Sequence, residues 1–316
     1  MKRSAIFGGV IWGALAAASL LGLARLTLIE LLFLLAPFVL VPLGLELCAQ
    51  SVGGAESSFL LGTARWVQLP AALCVAGSFR ISPGIAAAIL VIPWFGFGCV
   101  AGIAGLRSLF GGGYKQLQSA CRTASLLYLP VGCAWLVASR LGLMPMGFQE
   151  PIVLLTAVHF HFAGFGAPLL AMACGTALQK KGPAARRMFA AIAAGVLAGP
   201  GLLAAGFVIG PRLKLAMALL VAFSEAGLSL YFLAAIPNLR PRLSQVLVAF
   251  SAASVLFAMA FAAVWAIGEF PLQPFVHLSE MAKFHGVANA LGFVLCGLIG
   301  WTLSRSSSIE PRGKEQ

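Results

Sequence analysis

The chain contains no aspartate: all nine of its acidic residues are glutamate. Magnesium-dependent diphosphate chemistry is built on Asp-rich motifs, so prenyl transfer and phosphate transfer of the conventional kind are excluded. Charge of either sign is scarce, at 9% of 316 residues, against about 25% in a soluble domain. So few charges cannot cover a water-facing surface, which excludes a soluble globular protein. Cysteine motifs are missing as well. The seven cysteines are scattered, with no C-x-x-C spacing, and lie mostly in apolar runs where Cys acts as a small hydrophobe. That excludes a disulfide framework and a cysteine-based metal site. The loop Gly111-Gly112-Gly113-Tyr114-Lys115 lacks the full phosphate-loop pattern and reads as a connector.

What the chain has in abundance is apolar sequence, 60% of all residues. Runs of about 20 apolar residues recur from end to end, the length that crosses a bilayer as a helix. The fold class expected is all-α, a polytopic membrane bundle of ten helices near 5–24, 27–48, 64–79, 84–106, 123–142, 151–179, 188–210, 213–236, 243–266 and 281–303. These form one transmembrane domain over residues 1–303, followed by a polar cytoplasmic tail over 304–316. The net charge of +12 is read as topology and not as nucleic-acid binding. With the N-terminus in the cytoplasm, six basic residues fall outside (Arg25, Arg80, Arg140, Arg212, Lys214 and Lys283) and the other fifteen fall inside. This asymmetry follows the positive-inside rule and places both termini in the cytoplasm, with the bacterial inner membrane as the expected location. The first apolar stretch exceeds a signal-peptide core in length, so it is expected to be retained as a helix. Gly9/Gly13 and Gly195/Gly199 have the spacing that lets helices approach closely.

Ionisable groups inside the apolar layer are costly, about 2.5–3.5 kcal/mol each on insertion scales, and normally face the bundle interior. The segment "LTAVHFHFAGFGAPLL" carries His159 and His161, eight and ten residues past Pro151. At the helical rise they lie roughly 12–15 Å from the outer face, close to the midplane. Glu225, eleven residues past Lys214, falls near the same depth, at about 16 Å. In the last helix His285, Asn289 and Gly292 share one face at i, i+4, i+7. Glu30 sits one turn inside the second helix, and Glu280 lies at the outer start of the last. The expectation is one shared polar cavity toward the outer side. His159 and His161 point some 200° apart on a regular helix, so one is expected to face that cavity and the other to bond a neighbouring helix; His161 is preferred for the cavity.

"AVHFHFAGFGAPLL" and "FHGVANALGFVLCGLIGW" resemble the signature segments of the YndJ-like family of bacterial membrane proteins. The resemblance rests on His159, His161, Ala163, Gly164 and Phe165, and on His285, Gly286, Asn289, Ala290, Gly292 and Phe293. It covers chiefly the C-terminal half; the first 150 residues are similar only in hydropathy. It implies that these histidines matter, and it supplies no reaction.

Two functions are compatible with these residues. One is a cofactor-independent, membrane-embedded acid–base enzyme acting on a lipid-soluble molecule such as a terpenoid or polyketide, by isomerisation, cyclisation or epoxide opening. Glu225 would donate a proton, His161 or His285 would accept one, and Asn289 would hold a substrate oxygen, with His159 in the same catalytic set. Glu30, Gly164, Gly292 and Glu280 would line the binding region. The other is a proton-coupled small-molecule transporter or exporter. Haem held by His161 and His285 is a third, lesser reading. The expected partners are the bilayer and a hydrophobic small molecule; no metal is expected.

Overall fold

The computed structural model describes residues 2–51, 55–178, 181–270 and 275–309. Among the described residues ten helices stand where ten passes were expected: α1 (Lys2–Leu20), α2 (Leu28–Cys48), α3 (Ala55–Ser78), α4 (Ile85–Phe110), α5 (Leu117–Leu141), α6 (Ile152–Ala177), α7 (Pro183–Ile209), α8 (Pro211–Asn238), α9 (Arg242–Glu269) and α10 (Leu278–Arg305). Among the described residues, nine of these are long and apolar enough to span a bilayer, and α3 contributes a shorter apolar stretch, Trp66–Ser78. Helix continues to Ile309, beyond the boundary expected at residue 303. Most of the expected polar tail, residues 310–316, lies outside the described residues.

Local chemistry sets the ends. Thr27 caps α2 in a reciprocal box with Glu30, which satisfies two amides that the first turn cannot. Gly142 closes α5 in the left-handed region at φ 74°, a conformation costly for any residue with a Cβ.

The core is built around α2, α6 and α10. A membrane helix that is apolar on all sides and surrounded by protein belongs at the centre of its bundle. α2 is buried almost continuously from Leu32 to Leu45, and α6 from Phe160 to Gly175. The other helices pack around these three, and α1 is the most exposed span. Each central helix departs from α geometry at mid-length. π-helical segments run over Ala36–Leu40 in α2, Phe160–Gly166 in α6, and Met281–Gly286 and Ala288–Leu295 in α10. The segments Ala36–Leu40, Phe160–Gly166 and Ala288–Leu295 pack on one another in all three pairings.

Such segments disturb the regular ladder, and every buried carbonyl still needs a donor. The surrounding helices supply side chains. Gln68 of α3 donates to the Pro37 carbonyl of α2, and Ser251 Oγ of α9 donates to the Phe293 carbonyl of α10 at 2.7 Å. A related arrangement holds α7, which has Pro200 in its interior. Tyr128 of α5 inserts its hydroxyl into the ladder, donating to the Leu197 carbonyl at 2.8 Å and accepting from the Gly201 amide at 3.2 Å.

The two small-residue pairs fare differently. A Cβ on Gly195 would sit 2.0 Å from Ser224 Oγ, and one on Gly199 would sit 2.6 Å from a Val221 methyl, so this pair does bring α7 against α8. Gly9 and Gly13 meet nothing closer than 4.0 Å; on α1 the close approach is at Gly8, against the Phe38 carbonyl.

Candidate functional site

The relative depth of the spans follows from their contacts. Gly166 of α6 lies against Val294 of α10, and Gly297 of α10 lies against Leu170 of α6. The two helices are therefore parallel and in register. Seven residues back from Gly166 stands His159; seven back from Val294 is Val287, flanked by His285 and Asn289. His159 and His285 are close enough to act on each other electrostatically. On α8, the Phe232 ring lies between Phe293 at 6.2 Å and Trp301 at 5.6 Å. Glu225 is seven residues before Phe232, hence on the same face two turns toward the start of α8.

Three of these four side chains share a second property. His159 Nε2, Glu225 Oε2 and Asn289 Oδ1 are buried and have no hydrogen-bond partner among the described residues. Glu225 is only 2% exposed. His285 is anchored at one edge, with Nδ1 2.8 Å from the Ala258 carbonyl of α9. A carbonyl can only accept, so Nδ1 carries the hydrogen and the neutral ring keeps its lone pair on Nε2. Unsatisfied buried polar atoms are rare in folded proteins. Here three fall on three different helices, and one of them, Asn289, stands a turn from a histidine of fixed tautomer.

Other expected site residues lie elsewhere. His161 was expected to face the cavity; instead it is completely buried, with Nδ1 2.8 Å from the Ala157 carbonyl and Nε2 accepting from the Trp94 indole at 3.2 Å. Its ring packs against Phe33 with centroids 5.0 Å apart, and a Cβ on Gly132 would approach Nδ1 to 2.6 Å. The two histidines do face opposite ways, and the preference between them is reversed: His161 joins α6 to α2, α4 and α5, and His159 is on the side toward α10. Glu30 is occupied by its cap, accepting from the Thr27 amide at 2.7 Å. Glu280 likewise accepts from the His277 amide at 2.9 Å, and it is exposed. Gly164 and Gly292 are points of close packing: a Cβ would meet the Tyr128 side chain at 2.8 Å and Ser254 Oγ at 2.2 Å respectively. Neither leaves room for a ligand at its own Cα.

No group of three or more metal-ligating side chains occurs among the described residues. The carbonyl donors Gln68, Ser251 and Tyr128 were not foreseen from sequence. Only the position of Gln68 and Ser251 within apolar helices hinted at them.

The sequence profile of the YndJ-like protein family matches residues 31–293. It thus reaches well into the N-terminal half, beyond the segments that carried the resemblance. An uncharacterized membrane protein YndJ from Bacillus subtilis (strain 168) is 31% identical over 179 residues, covering 56% of this chain and 32% of the relative. The chain therefore spans about a third of that relative's length. No solved structure matches it.

Proposed function

This chain belongs to the YndJ-like family of membrane proteins, and we propose that it is an acid–base enzyme that rearranges a lipid-soluble small molecule without a cofactor. The observation that carries this reading is the set of unpaired buried atoms, His159 Nε2 on α6, Glu225 Oε2 on α8 and Asn289 Oδ1 on α10, with His285 one turn from Asn289. Burying such groups without partners costs about 1–3 kcal/mol each, a cost proteins commonly sustain where a ligand completes the bonding. Glu225 supplies the acid and His285 the base, with Asn289 and His159 orienting the substrate's polar atom. A proton leaves the substrate for His285 Nε2 while Glu225 gives one to the atom that gains electron density. The two residues end in exchanged protonation states, and a proton returned from His285 to Glu225 restores both. The net change is an isomerisation, with no atom gained or lost.

His161 is not part of this machinery, since both its nitrogens are bonded. The excess of basic residues in one set of connections supports an orientation with both termini in the cytoplasm, in the bacterial inner membrane.

The test is incubation of purified protein in nanodiscs with a nonpolar extract of its host's membranes, followed by chromatography and mass spectrometry. Expected is a species whose retention time changes at constant mass, with Glu225→Gln and His285→Ala inactive although they express and fold. Full conversion by both variants refutes the assignment. The second reading, a proton-coupled carrier, is favoured by the π-helical segments that interrupt the three central spans, because transporters bind substrate at irregular backbone near mid-membrane. Substrate movement into proteoliposomes under a pH gradient, with no chemical change, would select it.

A further inference from the structure

No acidic residue stands between Glu56 and Glu150, and Arg107, Lys115 and Arg122 lie in the middle of that stretch. They flank the turn that joins α4 to α5, at one edge of the apolar layer. Phe110 and Tyr114, 86% and 63% exposed, mark that edge, because aromatic rings collect where hydrocarbon meets headgroups. Polar contacts build the turn. Arg122 Nη2 donates to Ser108 Oγ at 3.4 Å, and Ser108 Oγ is 2.7 Å from Thr123 Oγ1, which ties the end of α4 to the start of α5. Gly113 lies against this hydroxyl pair, where a Cβ would stand 2.9 Å from Thr123 Oγ1. Lys115 folds back over the same turn, with Nζ 3.6 Å from the Cβ position of Gly112. Arg107 and Lys115 are exposed, and Arg122 is half-buried with no hydrogen-bond partner for Nε. None of the three cations is in an ion pair among the described residues. Ile103, Leu106 and Phe110 are exposed on one face of α4 at i, i+3, i+7, so an apolar track runs from the cations into the bilayer.

We infer that this turn seats the phosphate of an anionic phospholipid, with Arg122, Arg107 and Lys115 as its cations and an acyl chain along Ile103, Leu106 and Phe110. A guanidinium presents paired N–H groups that match phosphate oxygens, and Ser108 orients the one on Arg122. Each cation near a membrane surface adds attraction for anionic lipid. A zwitterionic headgroup brings its own ammonium to a segment with three cations and no carboxylate, so repulsion disfavours it. The occupant is a lipid and not a free phosphate ester, because the apolar track adds a hold on the chains that a soluble ester cannot use.

Full-length protein in a mild detergent is titrated separately with phosphatidylglycerol and phosphatidylcholine of the same acyl chains, and bound lipids are counted by native mass spectrometry. Expected is preferential retention of phosphatidylglycerol, weakened about fivefold by Arg122→Gln and again by Lys115→Gln. Lys115 is exposed on a turn, so its variant keeps the fold and still reads the site. Ser108→Ala removes no charge and should also weaken retention, because the hydroxyl positions Arg122. A control with both Arg186→Gln and Arg187→Gln removes two exposed cations at the start of α7 and should leave retention unchanged. Equal retention of the two lipids would overturn the inference. So would an equal loss in the control, which would reduce the attraction to net charge. Displacement of phosphatidylglycerol by soluble glycerol phosphate at the same concentration would overturn the choice of a lipid as occupant.

Discussion

Replacing Glu225 by leucine should make the protein more stable. The side chain is 2% exposed, and its Oε2 has no donor among the described residues. Leucine fills similar volume and asks for no hydrogen bond, so the variant escapes the cost of an unsatisfied buried polar atom, about 1–3 kcal/mol. The neighbourhood is suited to it, since Val221, Leu228 and Phe232 line the same buried face of α8. A domain of this size moves its midpoint by about 2–4 °C per kcal/mol, which gives an expected rise of roughly 2–12 °C. The protein carries its own probe, because Cys121, Cys133 and Cys174 are fully buried and free. Thermal unfolding in detergent can be followed by a thiol-reactive fluorophore that labels them only when the bundle opens. The same variant should lose all turnover, so stability and activity move in opposite directions. A drop in midpoint on Glu225→Leu would refute the reasoning, because it would mean that the carboxyl serves the fold.

His161→Ala should behave in the opposite sense. It leaves the Trp94 indole N–H without its acceptor and empties a fully packed position, at a cost of at least about 2 kcal/mol, read in the same thermal assay. Gly292→Ala would drive a methyl to 2.4 Å from Ser254 Cβ; a loss of about 1–3 kcal/mol is expected for such overpacking, and a second change, Ser254→Gly, should restore most of it. Tyr128→Phe removes the hydroxyl held between Leu197 and Gly201, and hydrogen exchange should rise locally around Pro200 in α7 with a stability loss of about 1 kcal/mol.

Much of this architecture is legible in the sequence because the bilayer imposes a strong length and composition code. Ten apolar runs answer to ten helices, nine of them long enough to span among the described residues, and Pro151, Gly142 and the paired Thr27 and Glu30 mark ends by known local chemistry. Direction around the helix was not legible. His161 and Glu30 look like site residues by composition, yet a neighbouring indole and a cap occupy them; Trp94 is 67 residues from His161, whereas Thr27 stands three residues before Glu30 in a capping pattern that composition alone passes over. The π-helical segments have no compositional signature either; they arise from how three central helices accommodate one another. Gly164 and Gly292 were read as room for a ligand, whereas they make room for Tyr128 and Ser254.

The wide turns in α2, α6 and α10 bear on how such a chain can change length over evolutionary time. In an ordinary helix, deleting one residue rotates everything beyond it by about 100° and exchanges buried for lipid-facing positions. A widened turn holds a surplus residue, so it can lose one and tighten into standard geometry while its flanks keep their facing. Single-residue deletions among related chains should therefore collect within Ala36–Leu40, Phe160–Gly166 and Ala288–Leu295. The interior of this protein, usually the region least forgiving of altered length, would then be where its spans best absorb it.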